Sequence, residues 1–156
     1  MTVLDRKDVE LLNLLQEDAR LANAQLAEKA NMSASSCWRK VKSLEDAGVI
    51  RRYAAVVEPK KMGLNFEAIV HVNLDRHNKD AVEALSALLK RCPEVVECFA
   101  TTGDSDYHLR VICADIEAYN RFMETTLFNN PSVRAMHTNV VLKRIKADAP
   151  VVATTQ

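Results

Sequence analysis

The sequence predicts an α+β chain built in two parts, and three observations carry that expectation. From Asp5 to Gly48, apolar residues recur at helical spacing in three short runs separated by polar turns. From Phe66 onward the period changes, and strand-like runs rich in Val, Ile and Tyr alternate with two helical stripes. Between the two lies Glu58-Pro59-Lys60-Lys61-Met62-Gly63, where a Pro, a Gly and two Lys within a few residues make a linker. The expected division is residues 1–57, a linker over 58–64, residues 65–146, and a loose tail over 147–156 without periodicity.

The first helix is predicted over residues 5–16, capped by Asp5, with Val9, Leu12 and Leu15 on one stripe and Leu11 and Leu14 beside it. A second short helix follows, with Asn23 as its expected N-cap and Leu26, Ala27 and Ala30 as its apolar stripe. Asn31, Met32 and Ser33 interrupt the pattern, and Ser33 is placed to cap a third helix that ends at Gly48. At about 100° per residue, Cys37, Val41 and Leu44 share one narrow face of that helix. Ser35, Arg39, Lys42, Ser43 and Asp46 fall opposite, with Ser36, Trp38 and Lys40 on the flanks. Two short helices joined by a tight turn, with a cationic and hydroxylic outward face, read as a helix-turn-helix. The exit, Val49 to Val57, is expected to form one or two strands of a wing carrying Arg51 and Arg52.

Such a face suits DNA, because Arg and Lys reach phosphates or guanine edges, Ser bonds either, and a helix N-terminus favours an anion. Ser35, Ser36 and Arg39 are expected toward bases, and Lys42, Arg51 and Arg52 toward phosphates. Ser33 and Lys40 join the candidate set, and Trp38 either packs at the protein's edge or touches a thymine methyl or sugar. The plain alternative is an ordinary solvated charged face.

In the second part, Phe66 to Leu74 reads as a strand and Asp80 to Arg91 as a helix with Val82, Leu85, Leu88 and Leu89 in line. Pro93 stops that helix. Val95 to Thr101 and Tyr107 to Ala114 are strands joined by the turn-rich Thr102-Gly103-Asp104-Ser105-Asp106. Asp115 is expected to cap a helix through Phe128, with Ile116, Tyr119, Phe122, Met123 and Leu127 inward, and a last strand to run from Val133 to Ile145. The order βαββαβ gives an antiparallel sheet with two helices on one face, as in ferredoxin-like folds. The other face is left open, and self-association would cover it.

Of the 156 residues, 48% are hydrophobic and 27% charged, which fits a soluble globular chain with a real core. The net charge is zero, which argues against coating nucleic acid through bulk positive charge. Distribution matters more. Between Ser33 and Arg52 there are five basic residues against two acidic ones, so the positive charge is concentrated where a site-specific reader needs it. No run is long and apolar enough to span a membrane, and the first ten residues lack a signal peptide's apolar segment, so a cytoplasmic protein is expected. The four Cys (37, 92, 98 and 113) form no CxxC pair and the four His (71, 77, 108 and 137) are scattered, so neither a metal site nor a cofactor is expected. Cys37 falls inward, which leaves a redox role for it open but disfavoured.

The stretches LDRKDVELLNLLQEDARLANAQLAEKANMSASSCWRKVKSLEDAGVIRRYAAVVEPKKMG and ATTGDSDYHLRV together resemble the Lrp/AsnC family of bacterial and archaeal transcription regulators. The resemblance implies a DNA-reading winged helix-turn-helix domain joined to a ligand-sensing βαββαβ domain of the RAM type. It implies homodimers that assemble to octamers, a double-stranded operator as partner, and a small effector, usually an amino acid, bound where dimers meet. In the family the loop corresponding to Thr102, Gly103, Asp104, Asp106 and Tyr107 lies at that site. The chemistry agrees, since N–H groups around Gly103 can hold a carboxylate while Asp104 or Asp106 holds an ammonium. Met136 and Thr138, on the last strand, are candidates to line the pocket from a neighbouring chain. Many family members carry Arg where this chain has Lys40, which turns a bidentate contact into a single one.

Two rival classes follow from the same residues. A ferredoxin-like domain can host small-molecule chemistry, yet no candidate nucleophile has a His close in sequence and three Gly make no phosphate-cradling loop. A stand-alone metabolite sensor would have no use for the basic outward helix face.

Overall fold

The computed structural model describes residues 3–75 and 79–152. His77 lies outside the described residues. The chain divides into two compact units. One holds the residues up to Val56 together with those from Lys146 on, and the other is Val57–Ile145.

The first unit contains α1 (Arg6–Glu17), α2 (Asn23–Lys29) and α3 (Ala34–Asp46). Helix α1 begins with a reciprocal cap: Asp5 Oδ1 accepts from the Asp8 N–H and Asp8 Oδ2 accepts from the Asp5 N–H, both at 2.9 Å. The expected cap of α2 is corrected. Asn23 is already the first helical residue and Ala22 precedes it in extended backbone. Gln25 Oε1 instead accepts the Ala22 N–H at 3.0 Å, and Asn23 Nδ2 donates to the Ala34 carbonyl at 2.9 Å, tying α2 to α3. Asn31 turns the chain at a positive φ of 49°. Ser33 then caps α3, its Oγ accepting from the Ser36 N–H at 3.2 Å.

Leu11, Leu26, Ala27, Ala30 and Cys37 form the buried centre of this unit, one or more from each helix. Such a small core needs every contribution. The expected wing is also corrected. Among the described residues Val49 to Val57 form no strand. A β-propensity run makes a strand only where a second segment supplies ladder partners, and here the Val49 and Ile50 N–H groups both return to the Leu44 carbonyl at the end of α3. Gly48, at φ 69°, makes that reversal possible.

The second unit opens with a single 3-10 turn at Pro59–Met62, closed by Gly63 at φ 84°. It then runs β1 (Phe66–Leu74), α4 (Lys79–Leu89), β2 (Val95–Ala100), β3 (Tyr107–Cys113), α5 (Ile116–Phe122) and β4 (Val133–Val140). The sheet order is β2-β3-β1-β4, with every neighbouring pair antiparallel. Alternation along β1 buries Ala68, Val70, Val72 and Leu74 beneath Leu85 and Leu89 of α4 and Tyr119 and Phe122 of α5. Glu67, Ile69, His71 and Asn73 therefore face the open side.

Three expectations in this unit are corrected. Helix α5 does not run to Phe128 as one regular helix, because Met123–Phe128 widens into a π turn. Ile116, expected inward, is 45% exposed in the first turn of α5. Strand β4 stops at Val140 rather than Ile145, because its partner β1 begins at Phe66 and the Glu67 carbonyl takes the last inter-strand bond from Val141. The tail differs as well. Val151 is held by Gln16, whose Oε1 accepts the Val151 N–H at 2.7 Å and whose Nε2 donates to the Val151 carbonyl at 3.0 Å.

Candidate nucleic-acid interface and effector loop

Helix α3 presents two unlike faces. Cys37 and Leu44 are buried, while Ser35, Trp38, Arg39, Lys42, Ser43 and Asp46 are exposed. Among the described residues the Arg39 guanidinium meets the Ser36 hydroxyl at 3.5 Å, and the side chain is exposed. Ser33 and Ser35 lie with hydroxyls 3.3 Å apart at the start of the helix, where unpaired N–H groups already favour an anion. Trp38, 59% exposed, lines a shallow hollow with Asn23, Ala34, Ser35 and Arg39. Arg51 and Arg52 are exposed on the segment that leaves α3.

The two lysines differ from the arginine. Lys40 Nζ reaches Asp5 at 2.6 Å and Asp8 at 2.8 Å, pinning α3 to the cap of α1. Burial opposes its charge, but the two carboxylates outweigh that and its pKa is raised. Lys42 is paired along its own helix with Asp46 at 2.9 Å and with Glu45 at 3.9 Å. Glu45 also accepts from the Tyr53 hydroxyl at 2.9 Å, and burial followed by this carboxylate pushes the Tyr53 phenol up to about 12. Burial pushes the Cys37 thiol up, the opposite of what a redox sensor needs.

In the second unit the loop between β2 and β3 exposes Thr102, Gly103 and Asp104, with Gly103 at φ 124°. Its base is closed by the Thr101 N–H donating to the Asp106 carbonyl and by the Thr101 hydroxyl donating to the Ser105 carbonyl, each at 2.9 Å. Asp106 is occupied in holding the loop, its Oδ2 accepting the Leu74 N–H at 2.7 Å and its N–H donating to Val72. Asp104 is the loop carboxylate that projects outward. Beside the loop lies a cavity of about 370 Å³ lined by Leu74, Lys79, Val82, Thr101, Asp106 and Tyr107. The Tyr107 hydroxyl is fixed by Ser86 Oγ at 2.8 Å. Met136 and Thr138 do not line this cavity in their own chain. Met136 packs on the core, and Thr138 Oγ1 meets the Tyr119 hydroxyl at 2.6 Å.

Several groups had no signal in the sequence read alone. Leu74, Lys79 and Val82 enter the cavity from β1 and α4, and only the packing of those elements beside the loop reveals them. On the open face of the sheet, Glu67 holds Arg110 at 2.7 Å and Arg144 at 2.9 Å, while Arg110 also reaches Glu97 at 3.2 Å. His71 and His108 meet on the same face. Among the described residues no group of three or more His, Cys, Asp or Glu could hold a metal ion. Among them, too, no helix is long and apolar enough to cross a membrane.

Residues 67–151 match the model of the Lrp/AsnC ligand binding domain, and residues 4–51 match a winged helix-turn-helix DNA-binding model. The transcriptional regulator AzlB of Bacillus subtilis is 33% identical over 144 residues, 92% of this chain and 92% of that protein. The leucine-responsive regulatory protein of Salmonella typhimurium is 32% identical over 153 residues, 98% of this chain and 93% of its own length. Among solved structures, a transcriptional regulator from Neisseria meningitidis in complex with L-Met superposes with a TM-score of 0.90 at 39% identity, covering 95% of this chain and 96% of that one. An AsnC family regulator from Agrobacterium tumefaciens gives 0.86 at 35% identity, over 92% and 94%. A ligand-binding model across one unit, a DNA-binding model across the other and relatives matched almost end to end leave a single assignment: the chain belongs to the Lrp/AsnC family of transcription regulators.

Proposed function

We propose that the protein is a cytoplasmic, sequence-specific DNA-binding regulator of amino-acid metabolism genes, and that an amino acid bound at the β2–β3 loop modulates it. The observation that carries the DNA reading is the two-faced α3: Cys37 and Leu44 buried, Ser35 and Arg39 open to solvent at its N-terminal half. Ser35, Ser36 and Arg39 read bases, with Arg39 the principal contact. Arg51 and Arg52 meet phosphates. Lys42 joins them by exchanging its Asp46 contact for a phosphate, and Lys40 acts by holding α3 in place.

The effector reading is supported by the cavity beside the loop and by the L-Met carried by the Neisseria meningitidis relative. Leu74 and Val82 offer an apolar wall to a side chain, loop N–H groups around Gly103 suit a carboxylate, and Asp104 suits an ammonium. Two copies pair through the open sheet face, and further pairing of dimers brings Met136 and Thr138 toward a neighbour's loop. A two-fold dimer reads a roughly palindromic operator with half-sites about one helical turn apart or a multiple of it. The ligand acts by favouring one assembly and so shifting the spacing of the DNA-reading units.

Fluorescence anisotropy on an operator duplex at increasing salt tests the core of this. Affinity should fall steeply with salt. Arg39→Ala should cost roughly 1 to 3 kcal/mol and relax preference at one base position. A loss equal on every duplex would make Arg39 a phosphate contact, and salt-independent binding would overturn the reading.

A further inference from the structure

Three histidines form a row on the open face of the sheet. His71 on β1 stands opposite His108 on β3 at one side and opposite His137 on β4 at the other, so three adjacent strands each present one imidazole at the same level. The His71 and His108 rings meet edge to face with centroids 4.7 Å apart, and their Nδ1 atoms are 2.8 Å apart. Two ring nitrogens at that distance share one proton, with one donating and the other accepting. The Asn139 amide nitrogen, 3.0 Å from His71 Nε2, sets the direction. The amide donates to Nε2, so His71 carries its proton on Nδ1 and donates it to His108. Both rings are neutral in this arrangement.

Added protons break it. A proton on His108 Nδ1 sets N–H against N–H, and a proton on His71 Nε2 sets N–H against the Asn139 amide until that amide turns over. Burial, with His108 and His137 alongside, holds the His71 pKa below its ordinary value. The charged groups facing the row are already matched: Glu67 by Arg110 and Arg144, and Glu97 by Arg110. Arg134 falls at the bulge in β4 and adds only positive charge.

The row also lies centrally. Strands β3 and β1 are the inner pair, so His71 and His108 straddle the midline of the face, with Phe99 of β2, 56% exposed, directly beside His108. Four strands of 6 to 9 residues outline roughly 450 Å² at the usual strand spacing and rise. The accessible area of a corrugated face exceeds its outline, which brings two copies to the region of about 1,200 Å² that a specific contact needs. A two-fold pairing of such faces sets the central residues of one copy against the same residues of the other.

We propose that the histidine row is a proton-operated clasp, which lies neutral inside the contact between two copies of the chain and drives them apart when protonated. The proposal rests on the two-copy reading above. Separated copies bind protons more tightly than paired ones, so association weakens as pH falls through about 6.5, where free imidazole titrates.

Sedimentation velocity of the full chain from about pH 8 to about pH 5.5, at constant ionic strength and with EDTA present, tests it. The expected result is a dimer or an assembly of dimers at the upper end and a monomer–dimer dissociation constant raised on the order of tenfold or more at the lower, reversed on neutralisation. The double variant His71→Asn, His108→Gln should stay paired throughout. A wild-type dimer indifferent to pH overturns the clasp and leaves the two-copy reading standing. A wild-type monomer at every pH overturns both. A double variant that dissociates like the wild type removes the role of these rings. Should that variant fail to pair at all, NMR titration of the wild-type ring protons decides. A His71 midpoint lower at high protein concentration than at low supports the clasp, and equal midpoints overturn it.

Discussion

Arg39 reaches solvent from α3 with the Ser36 hydroxyl as its contact among the described residues, whereas the adjacent Lys40 is drawn to the carboxylates of Asp5 and Asp8. The helical period separates these two residues by about 100°, and that much was readable from the sequence. The partner of Lys40 was not, because it lies more than thirty positions away and only packing brings it in. Lys40→Met should therefore lower the thermal stability of the helical unit by about 0.5 to 1 kcal/mol, the range of partly exposed ion pairs, while leaving the preferred operator base sequence unchanged. Melting curves and competition binding check both halves, and an altered base preference would mean that Lys40 leaves its carboxylates for the duplex. The two loop aspartates separate in the same way. Asp106 is occupied by the Leu74 N–H, and Asp104 is exposed. Asp104→Ala should abolish the thermal shift given by amino acids while operator binding without ligand stays nearly intact. Loss of both together would make Asp104 a structural residue.

Periodicity carried the helices and the order of helices and strands along the chain, because a helix or strand with one face in a core declares itself in its own residues. It failed where an element depends on another segment. The Val49–Val57 run has the composition of a strand and no ladder partner among the described residues, and the β1–β4 ladder ends at Ala68 opposite Val140. Asn23 has a capping side chain but sits one position inside α2, so it bonds Ala34 instead. The start of α1 was read correctly, and its chemistry gives it a pH limit. Asp5 is held at about 2 against an ordinary 3.8, by the Lys40 ammonium first and the Asp8 N–H next. A carboxyl depressed in the fold contributes stability that is complete above its unfolded pKa and lost as pH falls through its folded one. The α1 cap should accordingly hold down to about pH 4 and fail between there and about pH 2. Helical circular dichroism on acid titration should show this step, and Asp5→Asn should remove it.

At the scale of the whole molecule, the change of hydrophobic period at Phe66 and the Pro/Gly punctuation before it lie a few residues beyond the point after Val56 where the chain passes from one compact unit to the other. The destination of the last residues had no such sign, since KADAPVV has neither helical nor strand period to read. The polypeptide leaves the first unit after Val56 and returns to it at Lys146. Gln16 receives the returning chain by its main chain alone, gripping one N–H and one carbonyl of Val151 while the side chain there remains 76% exposed. Side-chain identity at position 151 is consequently free to drift, whereas a proline would forfeit the amide that Gln16 accepts. A label carried on the chain at Val151 or Val152, such as a fluorescent reporter, becomes cargo on the DNA-reading unit rather than on the sensor.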